Sequence, residues 1–118
     1  MVKFEGYEFV DGGVCAAEGF TAAGVIAGIK AGNTTKRDLA MIYCAERCRA
    51  AALYTTNKVK GAPIYVTKKH LEDGYAQAVI VNSGNANTCN ENGIEIAEQM
   101  CELTAEALDI DANDVLVG

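Results

Sequence analysis

The sequence predicts an α/β fold, in which helices pack on a β-sheet. The β-branched run at residues 78–81 is typical of a strand, because it is short, apolar and followed at once by small and amide residues. Residues 94–108 show the apolar spacing of three and four that is typical of a helix. A second short β-branched run follows at residues 115–117. The order strand, helix, strand favours a sheet with helices lying on it.

The first third of the chain is expected to contribute extended structure. Residues 7–10 form a candidate short strand ahead of the glycine turn at 11–13. Residues 20–30 are apolar but contain glycines that would weaken a helix, and a turn signal follows at 32–33. We therefore predict a longer, closely packed strand over residues 20–30.

Residues 38–44 and 50–57 are predicted to be two strands of a hairpin. The four residues at 45–48 have a suitable length for the hairpin connection. The β-formers at 54–56 support the second strand, whereas the alanines at 50–52 fit a helix equally well.

A helix is predicted to begin near Pro63 and to end at Gly74. Proline suits the first turn of a helix, glycine suits its C-terminal cap, and the cations Lys68, Lys69 and His70 suit the negative end of the helix dipole. The β-branched residues in its first half leave a strand followed by a short helix as an alternative. His70 is expected to act simply as a charge near a helix end.

The helix over residues 94–108 is the clearest element. Its apolar residues form two adjacent stripes, and acidic residues cover the opposite side. We expect both stripes to be buried against a sheet and the acidic side to face solvent. The first stripe comprises Ile94, Ala97, Cys101, Thr104 and Leu108, and the second comprises Ile96, Met100, Leu103 and Ala107.

Composition and charge limit the classes of partner. The 118 residues are 50% hydrophobic with one proline, which favours one folded unit. A net charge of -6 with scattered Lys and Arg argues against nucleic acid. The absence of a long apolar run and of an apolar signal segment predicts no membrane span and a cytoplasmic protein.

The five cysteines are expected to be reduced thiols packed as small apolar residues. Their odd number and the lack of paired CxxC spacing support neither a disulfide framework nor a zinc site. Cys44 and Cys48 with His70 would make an incomplete ligand set, so we expect no metal.

The loop that follows residues 78–81 is the candidate functional site. Gly84 would allow backbone N–H groups to converge on an anion or oxyanion, and Asn85 or Asn87 would add amide donors. The pattern lacks the lysine and the glycine spacing of a phosphate loop. The alternative interpretation is that Asn82 and Asn85 are turn formers whose side chains hydrogen-bond only to their own loop.

Several segments resemble one known family in order and spacing: residues 19–24, 27–30, 36–40, 54–57, 62–63, 81–87 and 115–117. The chain is similar to the bifunctional ornithine acetyltransferase and glutamate N-acetyltransferase of arginine biosynthesis. Departures occur at Cys48, where the family often has proline, and at residues 89–92, where a Thr-Gly pair is usual.

The resemblance implies a fold and a reaction. The fold would be an αββα sandwich of mixed sheets flanked by helices, as in self-processing acetyltransferases and aminopeptidases. A precursor would cleave itself before a threonine, whose hydroxyl takes the acetyl group of N-acetylornithine and passes it to glutamate, with the new α-amine as base. No cofactor is implied, although acetyl-CoA could be an additional acetyl donor.

The resemblance also implies that this chain holds no catalytic residue. The family's oxyanion-hole Thr-Gly pair would directly follow Gly118, and the nucleophilic threonine would come much later. Residues 1–118 would be the N-terminal part of a single larger catalytic domain, with the remainder of the α chain and the β chain as partners in a hetero-oligomer. Asn82, Ser83, Gly84, Asn85 and Asn87 would form a wall of the substrate site. A related self-processing aminopeptidase and a non-catalytic binding module are the alternatives.

Overall fold

The computed structural model describes residues 5–118 and confirms an α/β fold with a mixed sheet. Short 3-10 turns precede β1, follow α1 and precede β4. The elements are β1 (Phe20–Val25), β2 (Leu39–Arg49), α1 (Ala62–His70), β3 (Tyr75–Asn82), α2 (Gly93–Leu108) and β4 (Val115–Val117), and the 3-10 turns are Gly13–Ala16, Leu71–Asp73 and Ala112–Asp114.

The four strands lie in the order β1-β2-β3-β4. β2 is antiparallel to both β1 and β3, whereas β4 runs parallel to β3. A parallel pair requires a crossover connection, and α2 supplies it. The C-terminal ends of β3 and β4 therefore lie side by side at the same end of the sheet.

The core lies between the sheet and the two helices. Val66 of α1, Cys101 of α2 and Val115 of β4 are fully buried there. Along β3, Ala78 and Ile80 alternate with less buried residues, as expected for a strand that packs helices on one face only. By the same alternation the opposite face carries apolar residues that are only partly buried: Phe20, Ile42, Val79, Val81 and Leu116.

Two side chains of α1 complete the hydrogen bonds on the outer side of β4. The Thr67 hydroxyl donates to the Val117 carbonyl (2.8 Å) and accepts from the Val117 N–H (3.1 Å). His70 is buried, and its Nδ1 lies 2.7 Å from the Val115 carbonyl, which requires a proton on that nitrogen. His70 thus also anchors the helix to the sheet, a role beyond the expected charge near a helix end.

The predicted hairpin over residues 38–57 is wrong. β2 continues through residues 45–48 with a register shift between Tyr43 and Cys48, so these residues form a bulge and not a turn. The segment lacks the Gly, Pro, Asn or Asp that a tight turn favours. Residues 51–57 form no strand, and Leu53 is fully exposed.

Arg47 in this bulge is held from three sides. Its guanidinium contacts the Asp73 carboxylate (2.6 Å) and the Asp114 carboxylate (2.8 Å), and it lies over the Tyr75 ring at 4.4 Å. These contacts come from segments that follow α1 and α2, so they favour a continuous strand in addition to the lack of turn-forming residues.

Two other predicted strands are shorter or absent. Residues 7–10 contain no strand. The strand over residues 20–30 ends at Val25, because Asp38 accepts the N–H groups of Ala27 and Ile29 and so draws them away from the sheet.

The helix between Pro63 and Gly74 is confirmed. α1 has Pro63 in its first turn, and the following 3-10 turn ends at Gly74 in the left-handed conformation with φ of 77°. The strand alternative for its first half is wrong.

α2 is confirmed, but its predicted buried face is too broad. Ala97, Cys101 and Thr104 of the first stripe are buried. In the second stripe, Ile96 and Leu103 remain 51% and 67% exposed. The apolar pattern identified the helix correctly but could not show how much of its surface the sheet and α1 cover. Neither α1 nor α2 is long and apolar enough to cross a membrane, and the same holds throughout the described chain.

The Thr67 contacts predict a selective loss of stability. Thr67→Val keeps the side-chain shape but leaves the Val117 N–H and carbonyl without their partner, so we expect a loss of about 2 kcal/mol in the free energy of unfolding. Urea unfolding of the protein measures it.

Thr104→Val is the matched control. The Thr104 hydroxyl only donates to the Met100 carbonyl within the same helix, so its loss should cost less than about 1 kcal/mol. Equal losses in the two variants would contradict the role given to Thr67.

Candidate functional site

The predicted loop joins β3 to α2 at the end of the sheet where β4 also terminates. Asn82 is the last residue of β3, and Ser83, Gly84, Asn85 and Asn87 follow before α2 begins at Gly93. Of the five predicted residues, Asn82 lies beside Gly118, since its N–H donates to the Gly118 carbonyl at 3.3 Å.

Asn82 and Asn87 form a reciprocal amide pair across the loop. Asn87 Nδ2 donates to Asn82 Oδ1 at 2.8 Å, and Asn82 Nδ2 donates to Asn87 Oδ1 at 3.4 Å. Asn87 Nδ2 also lies 3.5 Å from the Gly118 carbonyl oxygen. The pair therefore fixes the loop and the end of β4 relative to each other.

Asn85 orders the rest of the loop. Its Oδ1 accepts the Asn87 N–H and the Asn90 amide, both at 3.2 Å. Asn87, Cys89 and Asn92 all adopt left-handed backbone conformations, with φ of 55°, 57° and 57°. Left-handed φ values are more accessible to Asn than to most residues, which gives a local reason for the amide-rich sequence.

The loop also fixes the start of α1. The Asn87 carbonyl accepts the N–H of Ala62, the first residue of that helix, at 2.9 Å. A Cβ at Gly61 would approach this carbonyl to 3.2 Å, and a Cβ at Gly93 would approach the Ala62 side chain to 3.1 Å. Close packing leaves only a small cavity, of about 50 Å³, between Asn85, Asn87 and α2.

Ser83 and Gly84 connect the loop to residues 26–38. The Ser83 N–H donates to the Asp38 carbonyl at 2.9 Å. Gly84 has φ of 92°, and a Cβ there would lie 3.2 Å from the Lys30 Cβ and 3.3 Å from the Lys30 nitrogen. Gly84 is therefore required both for its backbone conformation and for the close approach of Lys30.

Asp38 is the residue that sequence reasoning missed. Its buried carboxylate accepts the Ala27 N–H (2.6 Å), the Ile29 N–H (2.8 Å) and the Asn33 amide (2.8 Å). The bond from the Ala27 N–H is the main cause that lowers the pKa of Asp38, with the Asn33 and Ile29 bonds adding to it. The sequence signal was an acidic residue directly before an apolar strand, but most of its partners are backbone groups.

The cysteines and His70 form no catalytic pair. All five cysteines are free thiols, and the His70 ring is engaged with the Val115 carbonyl. Burial raises the pKa of the Cys101 thiol to about 11, which disfavours the reactive thiolate. Residues 5–118 contain no group of three or more His, Cys, Asp or Glu side chains arranged to hold a metal.

Comparison with protein families and curated proteins gives one consistent match. Residues 21–118 match the model of the ArgJ family. The chain is 46% identical over 111 residues to the arginine biosynthesis bifunctional protein ArgJ of Caldanaerobacter subterraneus subsp. tengcongensis, covering 93% of this chain and 27% of that protein. It is 48% identical to the ArgJ protein of Symbiobacterium thermophilum, covering 87% and 26%. The chain thus spans about a quarter of the length of these relatives.

Solved structures match the same fold. The argJ protein of Bacillus halodurans superposes with a TM-score of 0.80 at 39% identity, covering 86% of this chain and 53% of that one. The ornithine acetyltransferase of Mycobacterium tuberculosis, solved in complex with ornithine, superposes with a TM-score of 0.77 at 40% identity, covering 86% and 55%.

The Asp38 network predicts a pH-dependent contribution to stability. Because the folded-state pKa is lowered, this contribution is present above the unfolded-state pKa and is lost as pH falls through the folded-state pKa. Asp38→Asn replaces one acceptor oxygen with a donor, so we expect a lower melting temperature at neutral pH and a smaller gap to the parent protein in strong acid. Thermal melts between neutral and strongly acidic pH measure the gap.

Asp109→Asn is the control, because Asp109 is exposed at the end of α2 in a left-handed conformation that Asn adopts readily. A gap for Asp38→Asn that stayed constant with pH would contradict the network.

The left-handed conformation of Asn87 gives a third prediction. Asn87→Gly and Asn87→Ala both remove the amide pair with Asn82, but only alanine must also adopt the unfavourable φ of 55°. We expect the free energy of unfolding of Asn87→Ala to be about 1 kcal/mol lower than that of Asn87→Gly. Denaturant titrations of the two variants compare them, and equal stabilities would show that the loop relaxes to another conformation.

Proposed function

The chain belongs to the ArgJ family, and we propose that it forms the N-terminal part of the catalytic domain of a bifunctional acetyltransferase of arginine biosynthesis. The observation that carries the proposal is the match over 86% of the chain to an ornithine acetyltransferase structure at 40% identity. At this identity and TM-score the likeness supports a shared reaction as well as a shared fold.

The proposed reaction is transfer of the acetyl group from N-acetylornithine to glutamate. The transfer proceeds through an acetyl-threonine intermediate, so that ornithine leaves before glutamate accepts the acetyl group. The nucleophilic threonine lies outside residues 1–118, and no residue of this chain acts as nucleophile or base. Acetyl-CoA serves as a second acetyl donor in this proposal, and the reaction takes place in the cytoplasm.

The contribution of this chain is to hold the backbone next to the reacting groups. Oxyanion donors are effective only when they are fixed before the charge develops. The family resemblance implies an oxyanion-hole Thr-Gly pair directly after Gly118, and the Asn82 N–H and the Asn87 amide both approach the Gly118 carbonyl. Asn82 and Asn87 therefore act as positioning residues, with Ser83, Gly84 and Asn85 forming the adjoining wall of the substrate site.

The half-buried apolar face of the sheet supports the proposed partners. Ile42, Val79 and Leu116 are apolar and lie opposite α1 and α2. Burial of such a face stabilises a protein by about 25 cal/mol per Å² of apolar surface. We assign this face to contact with the remainder of the α chain and with the β chain, in a hetero-oligomer of the cleaved chains.

The activity is tested on the longest open reading frame that contains these residues. The purified product is incubated with N-[¹⁴C-acetyl]ornithine and glutamate, and we expect labelled N-acetylglutamate. Without glutamate, unlabelled N-acetylornithine and labelled ornithine should exchange label, because the acetyl-threonine step is reversible.

Absence of both acetyl transfer and exchange would refute the proposed function. Hydrolysis of aminoacyl p-nitroanilides in place of acetyl transfer would assign the protein to the self-processing aminopeptidases. A frame that gives neither reaction but folds cooperatively would favour a binding module.

A further inference from the structure

We propose that the groove between residues 26–37 and the Ser83–Gly84 turn is a binding site for an anionic group, a carboxylate or a phosphate. Lys30, Lys36 and Thr35 from the first segment and Ser83 from the second line the groove, together with Asp38 at its base. Its volume of about 390 Å³ falls in the range of small-molecule sites.

The charge of the groove is opposite to that of the chain. Residues 26–37 contain Lys30, Lys36 and Arg37 and no acidic residue, whereas the whole chain carries -6. Asp38 is the one carboxylate in the lining, and its oxygens already accept the N–H groups of Ala27 and Ile29 and the Asn33 amide. The lining therefore presents two lysines and one carboxylate that already accepts three hydrogen bonds.

The backbone that carries both lysines is fixed before any ligand binds. The Lys30 carbonyl accepts the Asn33 N–H at 3.0 Å. The Asn33 side chain accepts the Lys36 N–H at 3.0 Å and donates to the Lys36 carbonyl and to Asp38, each at 2.8 Å. A fixed frame lowers the entropic cost of binding, because the loop does not have to be ordered by the ligand.

The lysine ammonium groups have no partner within the described chain. Lys69, in contrast, pairs with Glu98 at 3.0 Å. Both lysines that line the groove are exposed and free of ion pairs with residues 5–118, so an incoming anion meets cations that are not already neutralised. Thr35 and Ser83 also line the groove, and a hydroxyl group is able to donate to an anion oxygen.

The test uses the full-length protein and the double variant Lys30→Gln/Lys36→Gln, which removes both charges but keeps the side-chain stems. Equilibrium dialysis with radiolabelled inorganic phosphate at low salt measures binding. We expect the dissociation constant to rise roughly tenfold. The variant removes two exposed ion pairs with the anion, and each contributes up to about fivefold to the affinity. Binding by the parent protein should also weaken with added salt.

Lys58→Gln/Lys68→Gln is the matched control, since both residues are exposed cations away from the groove. Equal phosphate binding in the parent protein and in Lys30→Gln/Lys36→Gln would overturn the proposal. So would an equal loss in the two double variants, which would indicate a general effect of net charge. Competition with acetate separates the two sources: displacement of phosphate assigns the groove to a carboxylate, and no displacement assigns it to a phosphate group. The proposal does not depend on the acetyl transfer, and this assay does not measure it.

Discussion

The parallel pairing of β4 with β3 is the constraint on which the rest of the structure depends. It places Val115 and Val117 beneath the helices, where they share a core with Val66 and Cys101. The parallel pairing also requires α2 to connect the two strands as a crossover. The loop after Asn82 and Gly118 therefore lie at the same end of the sheet. The position of the candidate site is thus a consequence of the strand order, and the amide side chains then refine it.

Asp38 fixes a second loop, the one after β1, at the same end of the sheet. One carboxylate ends β1, orders the loop that follows it and positions Asn33, while the carbonyl of the same residue holds Ser83. Buried carboxylates are stable when several donors surround them, and here the donors come mostly from backbone groups of a single loop. Asp38 therefore links the loop after β1 to the loop after β3, although the two loops are distant in the sequence.

The accuracy of the sequence predictions follows the range of the interactions. α2, β4 and the helix from Pro63 to Gly74 were predictable because periodicity, proline and glycine act within a few residues. The bulge in β2 was not, since Arg47 is held by Asp73 and Asp114, which lie 26 and 67 residues further on. The exposure of Leu103 was not predictable either, because periodicity reports an apolar face and not what covers it.

The candidate site shows the same division. The amide-rich loop was located from local sequence, and its internal bonds between Asn82, Asn85 and Asn87 span only a few residues. Its approach to Lys30 and to Gly118 could not be predicted, because both contacts depend on the completed sheet. Its part in catalysis stays a prediction.

Helix α1, which lies along β4, also determines on which side the sheet can pair with a further strand. Every polar backbone group on the outer side of that strand is used: the Val115 N–H by the Ala112 carbonyl, the Val115 carbonyl by His70, and both groups of Val117 by Thr67. Within residues 5–118, β1 pairs with no strand other than β2. An inserted hairpin or an added peptide can therefore pair with the outer side of β1, whereas α1 blocks such pairing along Val115–Val117.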